Sequence, residues 1–225
     1  AEDGIRDDLV TGVQTCALPI LTTTESNKVT TQFWRSAENF EVTPRNSKTM
    51  YWAVSQAAPY RRMHVKGNIH FDKHNWASGG FLANSIIEGK AGLDTGQQWV
   101  TRNSKIGAWY GANWNKVFVG VEGAPKDMWP RKPYTTIDHT PRVREKPFLT
   151  YEPEKGYAVF VPEVMENSRG VTWNESEEKG EFISLDQFHI AFPEADTAVS
   201  ISGAIESGKN ILLTPGNYLI DSAIR

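Results

Sequence analysis

The sequence predicts an all-β fold, a right-handed parallel β-helix in which a single chain winds as a solenoid. Segments rich in β-branched and aromatic residues recur between residues 33 and 123, with almost nothing at helical spacing. Equivalent positions follow one another at intervals of 23, 22 and 19 residues, counted over Val42, Val65, Ile87 and Ile106. One strand per such interval is typical of coils that stack on one another.

Two further features of the segment favour stacked coils. Ten of the 18 glycines lie between Gly67 and Gly123, where a coil needs tight corners. The predicted strands cover residues 40–42, 63–65, 85–87, 104–106 and 117–121. A β-sandwich is the alternative, but its strands recur about every 8–12 residues, roughly half the interval seen here.

Composition excludes several classes of protein. Of the 225 residues, 39% are hydrophobic and 23% are charged, which is ordinary for a globular chain. Every apolar run is shorter than the about 18 residues that a membrane helix needs, so we expect no membrane span. The net charge of −3 offers no basic surface for a phosphate backbone, and we expect no nucleic-acid partner.

Residues 1–20 differ from the rest and are expected to be a non-native leader, an artefact. They lack the basic and apolar regions of a secretory signal, and residues 2–20 resemble translated sequencing-adapter sequence. Without them the chain has 23 acidic and 23 basic residues and no cysteine, since Cys16 is the only one. Thiol catalysis and disulfides are therefore not expected.

The remainder divides into three parts by composition. Residues 21–124 are assigned to the β-helix coils. Residues 125–195 are expected to form a proline-rich excursion with surface loops, because seven prolines between Pro125 and Pro162 interrupt regular strands. Residues 196–225 are expected to open a second β-helix block that is truncated, with one short helix near residues 197–207. Asp196 or Thr197 would cap that helix, and Gly208 would end it.

Several motifs resemble known β-helix proteins. The helix–turn–strand run at residues 198–220 resembles the opening unit of pectate-lyase-like β-helix domains, including those of glycoside hydrolase family 55. The motifs FWRSAEN (33–39), RRMHV (61–65), WNKVF (114–118), GVEGAP (120–125) and REKPF (144–148) resemble a group of bacterial β-helix proteins. Members of that group often carry the labels coagulation factor 5/8 type domain or adenylyl cyclase. The resemblance implies a parallel β-helix and a secreted bacterial protein, and it does not specify one reaction.

Aromatic residues are concentrated in the turn-rich part of the predicted coils. Indole and phenol rings stack on the apolar faces of sugar rings. We therefore expect a carbohydrate-binding surface, and we expect Arg102, which lies in the same stretch, to be part of it. The predicted residues are Trp76, Trp99, Arg102, Trp109, Tyr110 and Trp114. The alternative is that the tryptophans close the corners of the coils.

Three carboxylates are candidates for glycoside hydrolysis, which needs a protonated acid and an ionised partner. The two carboxyl groups lie about 6.5–9.5 Å apart in inverting enzymes and about 5–5.5 Å apart in retaining ones. Glu122 stands between Val121 and Gly123 at the end of a predicted strand and is the expected acid. Asp72 and Glu145 are its expected partners.

No metal or cofactor is expected. His70, Asp72 and His74 would share one side of an extended segment, but a fourth ligand is lacking. The stretch Gly208–Lys209 follows a helix instead of opening one, so it is not a phosphate-binding loop.

The expected function is that of a secreted or cell-surface bacterial β-helix protein that acts on a polysaccharide or cell-wall glycan, as a glycoside hydrolase or polysaccharide lyase. Two alternatives stay open. One is a non-catalytic carbohydrate-binding or adhesion module. The other is a scaffold fragment whose active groove lies in further C-terminal coils.

Overall fold

The computed structural model describes residues 29–45, 48–72, 76–154, 156–173 and 178–225. The predicted leader at residues 1–20 and His74 lie outside these ranges. The described chain forms two compact units. The first comprises the residues up to Glu145 together with Glu163–Lys179, and the second comprises Lys146–Pro162 and Gly180–Arg225. Among the described residues, no helix is long and apolar enough to cross a membrane.

The structure contains mainly strands. They are β1 (Ala37–Val42), β2 (Thr49–Tyr51), β3 (Pro59–Val65), β4 (Asn68–His70), β5 (Phe81–Ala83), β6 (Ile86–Gly92), β7 (Trp99–Arg102), β8 (Lys105–Tyr110), β9 (Lys116–Val119), β10 (Tyr134–Ile137), β11 (Thr140–Arg144), β12 (Phe148–Glu152), β13 (Gly156–Pro162), β14 (Val164–Ser168), β15 (Gly180–Ser184), β16 (Phe188–Ala191) and β17 (Asn210–Leu213). One α-helix, α1, spans Ala198–Glu206. Short 3-10 turns lie at Val29–Thr31 and Leu185–Gln187.

The first unit is a parallel β-helix, as the sequence predicts. Strands β1, β3, β5, β7, β9 and β10 stack in parallel on one side, and β2, β4, β6 and β8 stack on another. The four positions used to count the interval are direct register partners, in the order Val42, Val65, Ile87 and Ile106. The predicted repeat is therefore confirmed, because each lap of the chain returns to the same position of the sheet.

Inward-facing side chains of successive coils form the core. Tyr60, Leu82, Thr101 and Phe118 occupy one such row and are all buried. Thr101 is the polar exception, which shows that a small hydroxyl can replace an aliphatic group in this row. The alternation of buried and exposed residues along each strand follows from the two-residue period of a β-strand.

Successive coils use left-handed backbone at equivalent corner positions. Asn84 and Asn103, with φ of 48° and 43°, turn the chain between two sheets of the coil, and Gly120 (φ 61°) does the same one coil later. Asparagine tolerates this conformation better than most non-glycine residues. Hydrogen bonds join these corners, because the Asn103 N–H donates to the Val119 carbonyl and the Asn84 N–H donates to the Arg102 carbonyl.

Residues 163–173 pack against the Asn84 and Asn103 corners. Strand β14 pairs antiparallel with β11. Thr172 Oγ1 accepts a hydrogen bond from Asn84 Nδ2 at 2.9 Å, and Trp173 Nε1 donates to the Asn84 carbonyl at 2.8 Å. Segment 125–195, predicted as loops, thus holds ordered strands. Its prolines are compatible with them because Pro141 is an exposed residue of the edge strand β11 and Pro162 is the last residue of β13.

The second unit combines an antiparallel sheet with a short parallel pair. Strands β12, β13 and β15 are antiparallel, and β16 pairs in parallel with β17. Helix α1 lies between β16 and β17 in the chain, close to the predicted range. Thr197 caps it through a reciprocal capping box with Ser200, and Gly208 follows the helix with a φ of 81°.

Candidate functional site

The aromatic residues predicted to bind sugar divide into exposed and buried ones. Trp76 and Trp114 are 54% and 60% exposed. Trp99 is 1% exposed, and its ring stacks 4.3 Å from that of Phe71. Trp109 is partly buried against the same core. The prediction that Trp99 contacts sugar is therefore wrong, because its indole fills the interior of the coil.

A groove of about 300 Å³ lies beside Trp76. Its polar lining residues are Thr30, Ser55, Gln56, Ser78, Thr95 and Gln97. Trp114 belongs to the next coil, where its carbonyl accepts a hydrogen bond from the Gln98 N–H at 2.9 Å. We call this groove, which is lined by Trp76 and by these polar residues, the corner groove. Uncharged amides and hydroxyls beside an exposed indole are suited to bind a sugar.

Asp72 fixes the turn that carries Thr95. Its Oδ2 accepts hydrogen bonds from the Thr95 N–H (2.5 Å), the Gly96 N–H (2.7 Å) and Thr95 Oγ1 (2.9 Å). Thr95 Oγ1 in turn accepts from the Trp76 N–H at 2.9 Å. Burial opposes ionisation of Asp72, but the hydrogen bonds from His70 and Thr95 outweigh it and hold the pKa below its usual range. Asp72 is therefore an anionic anchor of the corner groove.

His70 joins Asp72 to two groups of neighbouring coils. His70 Nε2 lies 2.7 Å from Asp72 Oδ1 and 3.8 Å from Asp94 Oδ2. His70 Nδ1 is hydrogen-bonded to the Tyr110 hydroxyl. Burial raises the pKa of Tyr110, so its phenol stays neutral at physiological pH. His70, Asp72 and Asp94 are the described residues whose donor set suits a metal ion.

Lys116 holds the coil of Trp114 to the coil before it. Its Nζ donates to the Gly96 carbonyl at 2.7 Å and to the Trp114 carbonyl at 3.2 Å. The side chain is almost completely buried, and this burial lowers the pKa of Lys116 to about 8. Asp72 acts in the opposite direction and favours the charged form. A connected network thus runs from Tyr110 through Asp72 to Trp114.

The other two predicted carboxylates lie in different surroundings. The Glu122 side chain is 44% exposed, and its Oε2 lies 3.9 Å from Lys105 Nζ. Glu145 is buried and binds Arg102 through two hydrogen bonds of 2.8 Å. Arg102 was predicted to bind sugar and Glu145 to be catalytic. The structure corrects both expectations, because the Arg102 guanidinium and the Glu145 carboxylate bind each other.

Asp72 also needs a correction as a catalytic partner of Glu122. Its carboxylate is fully buried and accepts hydrogen bonds at both oxygens, so it does not reach a sugar. The carboxylate that shares its surroundings is Asp94, which the sequence analysis did not select. Asp94 follows Asp72 by 22 residues, and Thr95 follows Trp76 by 19. The coil interval in the sequence therefore pairs Asp72 with Asp94.

The comparisons with known proteins agree with the architecture. The chain is 49% identical over 197 residues to an exo-β-1,3-glucanase of Streptomyces sp. (strain SirexAA-E / ActE), a match that covers 87% of this chain and 32% of the relative. The structure of sacteLam55A from Streptomyces sp. SirexAA-E superimposes with a TM-score of 0.83 at 48% identity. The chain is a parallel β-helix protein similar to those of glycoside hydrolase family 55.

This β-helix protein also matches a variant of sacteLam55A in complex with glucose, with a TM-score of 0.82 and 47% identity. Both structural matches cover 88% of this chain and 36% of the other. The chain therefore spans about a third of the length of the relatives it matches. No protein-family model matches it. The resemblance to family 55 that the sequence motifs indicate is confirmed.

Proposed function

We propose that this β-helix is part of a secreted bacterial glycoside hydrolase that acts on β-1,3-glucan, and that the corner groove binds the polysaccharide. The observation that carries the proposal is an exposed Trp76 beside a polar groove, in a chain 49% identical to an exo-β-1,3-glucanase. Sugar C–H faces would stack on the indole, while the polar edges of the ring stay hydrated. Trp114 on the next coil would extend the stacking surface.

The lining of the groove favours a neutral sugar over an acidic one. Its polar residues are uncharged, being the hydroxyls of Thr30, Ser55, Ser78 and Thr95 and the amides of Gln56 and Gln97. A uronate would need a cation to replace its lost hydration. Lys116 is close to this network but is buried and hydrogen-bonded to two carbonyls. A neutral glucan therefore fits the groove better than a pectin-like polymer.

Glu122 remains our candidate for the proton donor. Of the three predicted carboxylates, it is the one whose side chain is exposed enough to reach a substrate. Its partner must then be a carboxylate other than Asp72 or Glu145, at one of the separations that hydrolysis uses, about 5–9.5 Å. Lys105 Nζ lies 3.9 Å from Glu122 Oε2, so binding of substrate would have to displace that lysine.

The binding part of the proposal is tested with the chain itself. We expect it to sediment with insoluble β-1,3-glucan and much less with polygalacturonate. Trp76→Ala and Trp114→Ala should each weaken binding about 5-fold, since an aromatic contact contributes about 1 kcal/mol beyond the area it buries. Trp129→Ala is the matched control. Trp129 is equally exposed (58%), but it does not line the corner groove as Trp76 does, and its backbone is not bonded to the turn at Gln98 as that of Trp114 is. Equal binding by all three variants would disprove the role of the groove.

The catalytic part needs a protein of full length. A chimera would carry this chain in place of the 197 matched residues of the Streptomyces enzyme. We expect it to release soluble sugar from β-1,3-glucan. Glu122→Gln in the chimera should abolish release and leave binding intact, whereas Glu206→Gln on the exposed face of α1 should change neither. Full activity of Glu122→Gln would exclude that residue, and binding without release in the folded chimera would favour a non-catalytic module.

A further inference from the structure

We infer that His70, Asp72 and Asp94 form a binding site for a divalent transition-metal ion, and zinc is the ion that their donors fit. This inference is independent of the proposed glucan chemistry. The three candidate ligand atoms are one imidazole nitrogen and two carboxylate oxygens, all within 4.8 Å of one another. One nitrogen and two oxygens make a ligand set that zinc accepts, and catalytic zinc sites commonly have three protein ligands and an open fourth position.

The hydrogen bonds around Asp72 orient its carboxylate for such a role. Oδ2 is held by the N–H groups of Thr95 and Gly96, which leaves Oδ1 directed at His70 Nε2 at 2.7 Å. Two ligands about 2.1 Å from a tetrahedral zinc lie about 3.4 Å apart. The His70–Asp72 pair would therefore open by about 0.7 Å, and Asp94 Oδ2, now 3.8 Å from Nε2, would approach by about 0.4 Å.

Tyr110 supplies the outer contact that a zinc-bound histidine requires. When Nε2 binds a metal, the remaining ring proton resides on Nδ1 and needs an acceptor. His70 Nδ1 already lies at the Tyr110 hydroxyl. When a metal occupies Nε2, the single proton of the neutral imidazole resides on Nδ1, where the Tyr110 hydroxyl can accept it.

The charge and exposure of the cluster also suit a cation. Two carboxylates balance the two positive charges of the ion, and the imidazole stays neutral. His70 and Asp72 are buried, whereas the Asp94 side chain is 38% exposed. Solvent therefore reaches one side of the cluster and can provide a fourth ligand. Since His70 is the last residue of β4, Asp72 lies two residues later and Asp94 follows β6, the ion would link two consecutive coils.

The inference is tested by calorimetric titration of chelator-treated protein with ZnCl₂ in a Cys16→Ser background, because a thiol binds zinc itself. We expect one ion per chain. Asp94→Asn should weaken binding at least 10-fold without loss of the circular-dichroism spectrum, since Asp94 is partly exposed. Asp127→Asn, which changes an exposed acid of the same unit, should leave binding unchanged.

Thermal unfolding gives a second readout. Zinc at about 100 times its dissociation constant should stabilise the folded chain by about 2.7 kcal/mol, and Asp94→Asn should lose this shift at the same concentration. Absence of zinc binding would overturn the inference. So would equal affinity of Asp94→Asn and Asp127→Asn, or a loss of binding in His74→Ala, which would assign the site to the neighbouring histidine. Neither the calorimetric titration nor the thermal unfolding involves polysaccharide, so their outcomes are separate from those of the glucan assays.

Discussion

Replacement of Asn84 tests how the corner of the β-helix is stabilised. Asn84 is buried with a φ of 48°, a conformation that costs most side chains about 1–2 kcal/mol. Its amide also makes two hydrogen bonds to Thr172. Oδ1 accepts from the Thr172 N–H at 2.9 Å, and Nδ2 donates to Thr172 Oγ1 at 2.9 Å, while the Thr172 hydroxyl donates its own proton to Glu178 Oε1 at 2.6 Å. The same side chain therefore sets the corner and binds the segment that covers it.

The two contributions can be separated with two variants. Asn84→Gly loses the two hydrogen bonds but adopts positive φ freely, so we expect a loss of about 2 kcal/mol at about 1 kcal/mol per bond. Asn84→Ala loses the same bonds and adds the backbone cost, for a total of about 3–4 kcal/mol. The alanine variant should thus be less stable than the glycine variant by about 1 kcal/mol, although alanine is the less flexible residue when unfolded.

Equilibrium urea unfolding followed by tryptophan fluorescence measures both differences. Trp173 reports locally because its Nε1 donates to the Asn84 carbonyl at 2.8 Å. Limited proteolysis should also cut residues 163–173 faster in both variants, since Thr172 loses its partner there. Thr172→Ala is the matched control, because it removes the hydrogen bond between Asn84 Nδ2 and Thr172 Oγ1, keeps the one from the Thr172 backbone N–H and leaves the corner residue unchanged. A glycine variant equal to or less stable than the alanine variant would refute the argument from backbone conformation.

Three further predictions follow from the buried groups of the first unit. Because burial lowers the pKa of Lys116 from 10.5 to about 8, the unfolded chain binds more protons between these values. Stability should therefore rise from about pH 8 to pH 10, and Lys116→Met should remove that rise in pH-dependent urea unfolding. Arg102→Ala should cost about 3–5 kcal/mol by leaving Glu145 buried without its bidentate partner, and adding Glu145→Gln should restore part of it. A double variant no more stable than Arg102→Ala would contradict this. Trp99→Ala should cost about 3–5 kcal/mol and the exposed Trp114→Ala less than about 0.5 kcal/mol in the same assay. Similar losses for the two tryptophans would contradict the assignment of buried and exposed rings.

Much of the fold could be predicted because a β-helix repeats its hydrophobic pattern at the interval of its coils. Val65 lies one coil after Val42, and Ile87 lies one coil after Val65. Each of these two pairs is in register in the structure. Helix α1 was predictable for a local reason, since Thr197 and Gly208 are recognisable capping residues. The strands within residues 125–195 were not, because strands such as β13 and β15 pair antiparallel without the coil interval.

The candidate site was predicted less well, because burial depends on the direction of a side chain and not on its type. Trp99 and Trp114 look alike in the sequence, yet one stacks on Phe71 and the other is 60% exposed. Glu145 looked like a free carboxylate between two cations. Its actual partner is Arg102, 43 residues earlier, and no local spacing relates the two.

The corner groove shows how a solenoid can turn separate polar residues into one surface. Ser78 and Gln97 are paired across a parallel bridge, so their equivalent turns lie one above the other at the strand spacing of about 4.8 Å. Gln56 lies one lap before Ser78, and the Ser55 hydroxyl donates to the Ser78 carbonyl. Each coil thus contributes a polar side chain at a regular height, while Asp72 and Lys116 fix the turns from inside. A change in the length of one turn would shift a single member of this row, and polysaccharide binding would then weaken without loss of the fold.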